Sequence, residues 1–241
     1  MCFSVSVNLV KEEIEQRFGV DFPSKYRYEP SYYYHAFSMP VIPAILSGKP
    51  GEVTMAKWGL IPAWVKSKAD ADEIRTKTFN ARSESVDEKP SFSTSFRETR
   101  CIIPVSGFFE WQHDGKNKIP WYIYNSEGGI MCLAGLYSDW IVPETGEIIT
   151  TFSIVTTEAN ELMARIHNSG KRMPVILNIN DEKKWLNAVA DEADLKVLMK
   201  PFPQELMKAH TIGSLINDKR ADKNTPDLLK PYEYHTPGLL F

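Results

Sequence analysis

The stretch Arg100–Thr157, RCIIPVSGFFEWQHDGKNKIPWYIYNSEGGIMCLAGLYSDWIVPETGEIITTFSIVTT, decides the fold. Four parts of it, RCIIPVSGFFEWQ, KIPWYIYN, GIMCLAGLYSDWIV and EIITTFSIVTT, are rich in β-branched and aromatic residues. Between them, HDGKN, SEGG and PETG hold the Gly, Asp, Asn and Pro that turn a chain back on itself. The pattern predicts an antiparallel meander. Upstream, residues 11–19 have the charge and periodicity of a short helix, and EPSYYYHAFSMPVIP is a Pro- and Tyr-rich extended segment. Downstream, TEANELMARIH sets Ala159, Leu162, Met163 and Ile166 at helical spacing, with Thr156 or Thr157 as cap, and delivers His167 at the helix end. RMPVIL reads as a buried strand, residues 181–200 as an amphipathic helix stopped by PFP, and DKRADKNTPDLLKP as a polar surface wrap. No repeat, low-complexity block or linker interrupts the series. The expectation is one α+β domain over residues 1–241, a curved, mostly antiparallel, barrel-like sheet core with peripheral helices.

The 241 residues are 43% hydrophobic and 24% charged, the composition of an ordinary globular chain. No run of eighteen apolar residues could span a membrane, and the opening apolar stretch lacks the basic leader of a signal peptide. These features predict a cytoplasmic monomer. Cys2, Cys101 and Cys132 make an odd count without CxxC spacing, and five scattered histidines form no ligand pattern, so neither disulfide, metal nor cofactor is expected. A net charge of −3 gives no global attraction to nucleic acid. Any such site has to be local.

One candidate is AKWGLIPAWVKSKADADEIRTKTFNARSESV, where Lys57, Lys66, Lys68, Arg75, Lys77 and Arg82 interleave with Trp58 and Trp64. Cations for phosphates and aromatic faces for bases are the two components of a single-strand groove. A buried Trp pair under solvated lysines fits the same letters. The opening MCFSVSVNL holds a second candidate. Cys2 is either the first small hydrophobe of a buried strand or, once Met1 is removed, an N-terminal aminothiol whose two groups titrate near ~7.7–8.0 and ~8.5. Three polar residues stand in apolar settings. On a strand, Glu110 shares a face with Phe108 and Gln112; burial there raises its pKa, as an acid or base requires, whereas a strand-edge Glu in water would be inert. Asn80 in FNARSE is either a hydrogen-bonding group at a reacting centre or a turn residue, and His167 either a proton shuttle or a structural imidazole.

Taken together, MC, WGLIPAW, FNARSE, CIIPVSGFFEW, LAGLYSDW, TFSIVTTEAN, ARIH and RMPVIL occur in the order and approximate spacing of the SOS-response-associated peptidase (SRAP) family, which the chain resembles over almost its whole length. Members of that family are abasic-site-processing proteins of DNA repair. The resemblance implies autocatalytic, cysteine-peptidase-like removal of Met1. Cys2 then crosslinks to the open-ring aldehyde of an abasic site in single-stranded DNA, as a thiazolidine, with lyase-type activity. It implies that His167 shuttles protons in sugar-ring opening, imine formation and reversal. Glu110 then handles a proton at the amine and supports Met1 cleavage, while Asn80 holds the N-terminal residue and the sugar oxygen. Trp58 and Trp64 fall in the segment beside the DNA channel and Arg82 where phosphate is contacted; by charge alone Arg97, Arg100, Lys171 and Arg172 extend the basic track. The protein would then be nucleoid-associated when bound.

The chain departs from the family in two places. Phe3 and Ser4 stand where members commonly carry Gly-Arg, which makes the floor of the site bulkier and removes a cation, and HNSGKRMP lengthens the loop after His167. Two other readings share some of these residues. An N-terminal-nucleophile amidase needs Cys2 but not the Trp/Arg/Lys segment, and a non-covalent single-strand binding module leaves Cys2 merely buried.

Overall fold

The apolar stretch RCIIPVSGFFEWQ divides at Ser106, and its two halves enter different sheets. The computed structural model describes residues 2–234. Strand β6 (Arg100–Val105) ends there and β7 (Gly107–Asp114) begins. The corner is fixed by hydrogen bonds: Ser106 N–H donates to Ser6 O at 2.8 Å, and Tyr122 Oη donates to Ser106 O at 3.1 Å. Only a glycine fits next, because a β-carbon on Gly107 would lie 2.5 Å from Ile123 O and 2.6 Å from the Tyr122 ring.

The first sheet is antiparallel throughout. Its order is β13 (Met207–Thr211), β8 (Asn117–Asn125), β7, β1 (Ser4–Val7) and β2 (Ser31–His35). The second runs β11 (Arg172–Pro174), β10 (Ile148–Glu158), β4 (Val53–Trp58), β3 (Val41–Leu46), β6, β9 (Met131–Ile141) and β12 (Ile176–Leu177). Since β9 also pairs with β10, strands β10, β4, β3, β6 and β9 close into a barrel, and β5 (Asn80–Arg82) lies parallel on β10. The expected meander is thus two hairpins, β7–β8 and β9–β10, in separate sheets, whereas the α+β class and barrel-like core are found as expected.

Among the described residues six α-helices stand around the sheets: α1 (Lys11–Phe18), α2 (Lys68–Arg75), α3 (Ser93–Glu98), α4 (Glu161–Ile166), α5 (Ile179–Leu186) and α6 (Glu192–Leu198). The single helix expected over 181–200 is two, because Asn187 turns the chain and the Asp191 carboxylate caps a new start, accepting from Ala193 N–H at 2.8 Å. Helix α4 is capped by Asn160, not by Thr156 or Thr157, which stay in β10. The expected RMPVIL strand is the short pair β11 and β12. The main core lies between the sheets, where Val5, Phe108 and Ile123 meet Trp58, Leu133 and Phe152. A second core holds Phe96, Trp185 and Leu195 of the helices over Ile102 and Val155. The polar tail segment covers the outer face of the first sheet, with Ile212, Ile216 and Leu228 over Phe109 and Tyr122.

Candidate active site

Strand β1 enters the first sheet between β7 and β2, with Ser4 opposite Phe109 on one side and His35 on the other. That register carries Phe3 and Cys2 toward Glu110 and Trp111. Cys2 is buried, and Glu110 is only 4% exposed. Helix α4 brings His167 to the same place as its C-terminal cap, the His167 N–H donating to Met163 O at 2.7 Å. The longer loop then ties helix to strand. The Asn168 side chain accepts from His113 N–H at 3.0 Å and donates to His113 O at 2.8 Å, which fixes the loop on β7, and Lys171 closes it at φ 47°. Together these elements form an opening of about 370 Å³ whose walls include Phe3, Glu110, Trp111, Lys118 and His167. A larger cavity of about 800 Å³, lined by Arg17, Ile45, Ile179 and Glu182 among others, shares none of its residues.

Burial sets the protonation of each group. It pushes the Glu110 carboxyl up to about 7, so that this side chain exchanges a proton near neutrality. It pushes the Cys2 thiol up as well, with the Glu110 charge adding to the effect, so Cys2 is held as a thiol rather than a thiolate. It lowers the His167 pKa, which favours the neutral ring. His167 Nδ1 lies 3.0 Å from Arg172 O and 3.2 Å from Arg172 N; in either tautomer the backbone occupies this nitrogen, and proton exchange with a substrate falls to Nε2.

Asn80 is the first residue of β5, registered with Ile154, and follows Phe79, whose ring stands 6.4 Å from that of Phe3. Its Oδ1 and Nδ2 are buried and have no hydrogen-bond partner among the described residues. Both atoms of the amide are therefore available to hydrogen-bond a bound molecule. Glu110 and His167 thus line one opening with Cys2 buried beside Glu110, while Asn80, on the second sheet, follows Phe79, whose ring meets that of Phe3 in the wall of the same opening.

The DNA-binding candidates separate. Trp64 is 53% exposed, with its Nε1 donating to Pro90 O at 3.3 Å, and Arg82 is exposed at the end of β5. Trp58 is fully buried: its ring stacks on Phe152 at 5.8 Å and its Nε1 donates to Phe79 O at 2.9 Å. It has no face to offer a base, and the stacking expectation for Trp58 is corrected to a packing role that fixes Phe79. The Arg172 guanidinium pairs with Glu84 and donates to Thr156 O at 2.7 Å, so it braces β11 instead of extending a basic track. Arg100 is fully buried and donates to the carbonyls of Phe96, Arg97, Trp185 and Asn187 at 2.5–2.8 Å, while Arg97 pairs with Glu192. Neither belongs to an open track.

Sequence reasoning missed Gly170, which lies against the His167 ring, and the His35–Ser4 contact, Nδ1 to Oγ at 2.9 Å, that fixes the residue after Phe3. Nothing in the spacing of single letters marks either one.

Known proteins are similar to this chain over most of its length. The abasic site processing proteins YoqW and YoaM of Bacillus subtilis (strain 168) are each 37% identical, YoqW over 235 residues that cover 96% of this chain and 100% of that protein. Abasic site processing protein HMCES of Gallus gallus is 31% identical over 202 residues, covering 75% of this chain and 58% of that protein. A crystal structure of a Bacteroides thetaiotaomicron protein matches with a TM-score of 0.90 at 39% identity, covering 96% of this chain and all of that one. The family model for the SOS response associated peptidase matches residues 1–219. With the fold and the sequence match in agreement, the chain belongs to the SOS response associated peptidase (SRAP) family.

Proposed function

We propose that the protein processes abasic sites in single-stranded DNA by covalent capture through Cys2, after its own removal of Met1. The observation that carries this reading is the placement of Cys2 at the mouth of β1, buried beside Glu110 and next to the opening that Glu110 and His167 line. An internal cysteine could form only a reversible thiohemiacetal with an aldehyde. A cysteine at the chain terminus has an amine on the neighbouring carbon, and the pair can close a five-membered ring.

The steps balance without any co-reactant beyond water. For processing, the Cys2 thiol adds to the Met1 carbonyl carbon, Glu110 takes the thiol proton and returns it to the Cys2 nitrogen, and the C–N bond breaks to leave a thioester. Water then hydrolyses the thioester, releasing methionine and restoring the thiol. For capture, His167 Nε2 moves a proton from the anomeric hydroxyl to the ring oxygen and opens the sugar to its aldehyde. The Cys2 amine attacks this carbon and one water leaves, giving an imine. Sulfur then bonds to the same carbon while the thiol proton passes by way of Glu110 to the nitrogen. With the thiol held protonated by burial, the amine attacks first and the sulfur second. Asn80, its amide atoms unpaired among the described residues, supplies a donor and an acceptor for the sugar oxygen and the amine. Trp64 and Arg82 are the exposed aromatic and the exposed cation offered to the strand.

Intact mass after mixing with an abasic single strand tests the reading. The expected species is protein lacking Met1 plus DNA minus one water, absent with Cys2→Ala. Wild-type protein that forms the same adduct while retaining Met1 rules out the terminal amine. An amidase would cleave small amides without any adduct, and a plain binding module would bind undamaged and abasic strands alike with none.

A further inference from the structure

The segment Tyr32–Phe37, YYYHAF, lies on the edge strand of the first sheet and the turn that follows it. Alternate residues of a strand share a face, so Tyr33 and His35 stand side by side. Their ring centroids are 6.1 Å apart with the planes within 9° of parallel. The short 3-10 turn Ala36–Ser38 then displays Phe37, 5.5 Å from His35, 5.4 Å from Phe3 and 5.0 Å from Phe79. The row thus runs from Tyr33 to Phe3, and Phe3 is a wall of the reactive opening.

Phe37 touches three other aromatic rings yet stays 59% exposed. The turn that presents it is held by Ser38 Oγ donating to His35 O at 2.7 Å and Met39 N–H donating to Ala36 O at 2.8 Å. It ends with Met39 at φ 50°, a left-handed conformation that costs free energy in any residue but glycine. His35 is held in turn by Ser4 Oγ, 2.9 Å from its Nδ1. At the far end, the Lys223 ammonium sits 5.4 Å from the centre of the Tyr33 ring.

We infer that the row Tyr33–His35–Phe37–Phe3 is a stacking face for the unpaired bases next to the lesion, with Lys223 meeting the strand's phosphate at its far end. The inference rests on the abasic-site reading above and assigns the strand a path. Its occupant is single-stranded DNA for two reasons. The row is continuous with the reactive opening through Phe3, so a strand whose sugar lies there has its neighbouring bases over these rings. A series of π-faces ending in a cation is also complementary to a polyanion of flat bases. Bases in a duplex are already stacked on each other, so the same row selects single strands. Phe3 and Ser4, the residues that depart from the family pattern, then serve this face, Phe3 as one of its rings and Ser4 by holding His35.

The test is equilibrium binding of a labelled single strand carrying a stable tetrahydrofuran analogue of the abasic site, with 2-aminopurine beside it, together with adduct formation on the authentic lesion. Phe37→Ala should weaken binding about 10-fold and abolish the fluorescence change of the 2-aminopurine. Phe37→Leu, which keeps apolar bulk but no π-face, should lose the fluorescence change as well. Lys223→Gln should shallow the slope of log K against log[salt] by about 0.7. If wild-type protein neither binds nor crosslinks the abasic strand, the functional reading falls and the row loses its ligand with it. If wild-type binds and crosslinks but Phe37→Ala binds equally well with the fluorescence change intact, the row alone is overturned. Equal affinity for an abasic duplex overturns the strand selectivity assigned to it.

Discussion

At Gly170 the absence of one methyl group decides where an imidazole can lie. A β-carbon there would stand 2.8 Å from His167 Cε1 and 2.9 Å from Nε2, closer than real side chains approach. The loop backbone therefore forms a wall for the ring, and Nδ1 is held from the other edge by Arg172. If His167 transfers protons as proposed, Gly170→Ala should displace Nε2 and cut the crosslinking rate at saturating DNA by about 10- to 100-fold, since small misplacements of such a group cost that much. DNA affinity should change little. A rate equal to wild-type would mean that the ring has room to spare and that the loop does not position it. His167 and Glu110 stand out in the sequence because each is a titratable letter beside apolar residues, and both line the same opening. Gly170 does not, because a glycine in a loop looks the same whether it turns the chain or makes room for a neighbour.

Among the secondary-structure elements, the turns were legible and the sheet assignments were not. HDGKN and PETG mark the tips of the β7–β8 and β9–β10 hairpins, as their composition requires. The break at Ser106 escaped notice because RCIIPVSGFFEWQ is apolar on both sides of it, and apolar continuity does not say which sheet a strand joins. Trp58 was misread for a related reason: lysines interleaved with tryptophans suit a groove and a half-buried strand equally. The alternation on β4 favours the strand, since Thr54, Ala56 and Trp58 share a buried face. Arg100 shows the same limit. Counted as a charge, it looked like DNA track; in place, it supplies the donors for carbonyls at the ends of α3 and α5. Arg100→Met should lower stability by about 3 kcal/mol in urea unfolding, because buried carbonyls lose charged donors. The salt dependence of DNA binding should stay at the wild-type slope; a shallower one would return Arg100 to the DNA surface.

For the molecule as a whole, the proposed site carries a cost to stability near neutral pH, because Glu110 is a buried carboxyl. Its carboxyl, raised by burial to about 7, binds a proton more tightly in the folded chain than in the unfolded one, where a glutamate titrates near ~4.3. Folding therefore takes up a proton between those two values. The stabilisation this gives is complete below the unfolded pKa and is lost as pH rises through the folded one, a change of about 4 kcal/mol across the window. His167, with its pKa lowered by burial, acts in the opposite sense and weakens the fold as pH falls below about 6.5. The two are separated by comparing wild-type with Glu110→Gln, an uncharged side chain of the same shape, in urea unfolding from pH 5 to 8. The variant should gain on wild-type as pH rises, be the more stable protein at pH 8, and crosslink abasic strands poorly at every pH. This is the trade expected where a buried acid is kept for its chemistry rather than for the fold. Parallel stability curves for the two proteins would mean that Glu110 stays ionised through the range. Burial would then not raise its pKa, and the carboxyl would impose no such cost on the fold near neutral pH.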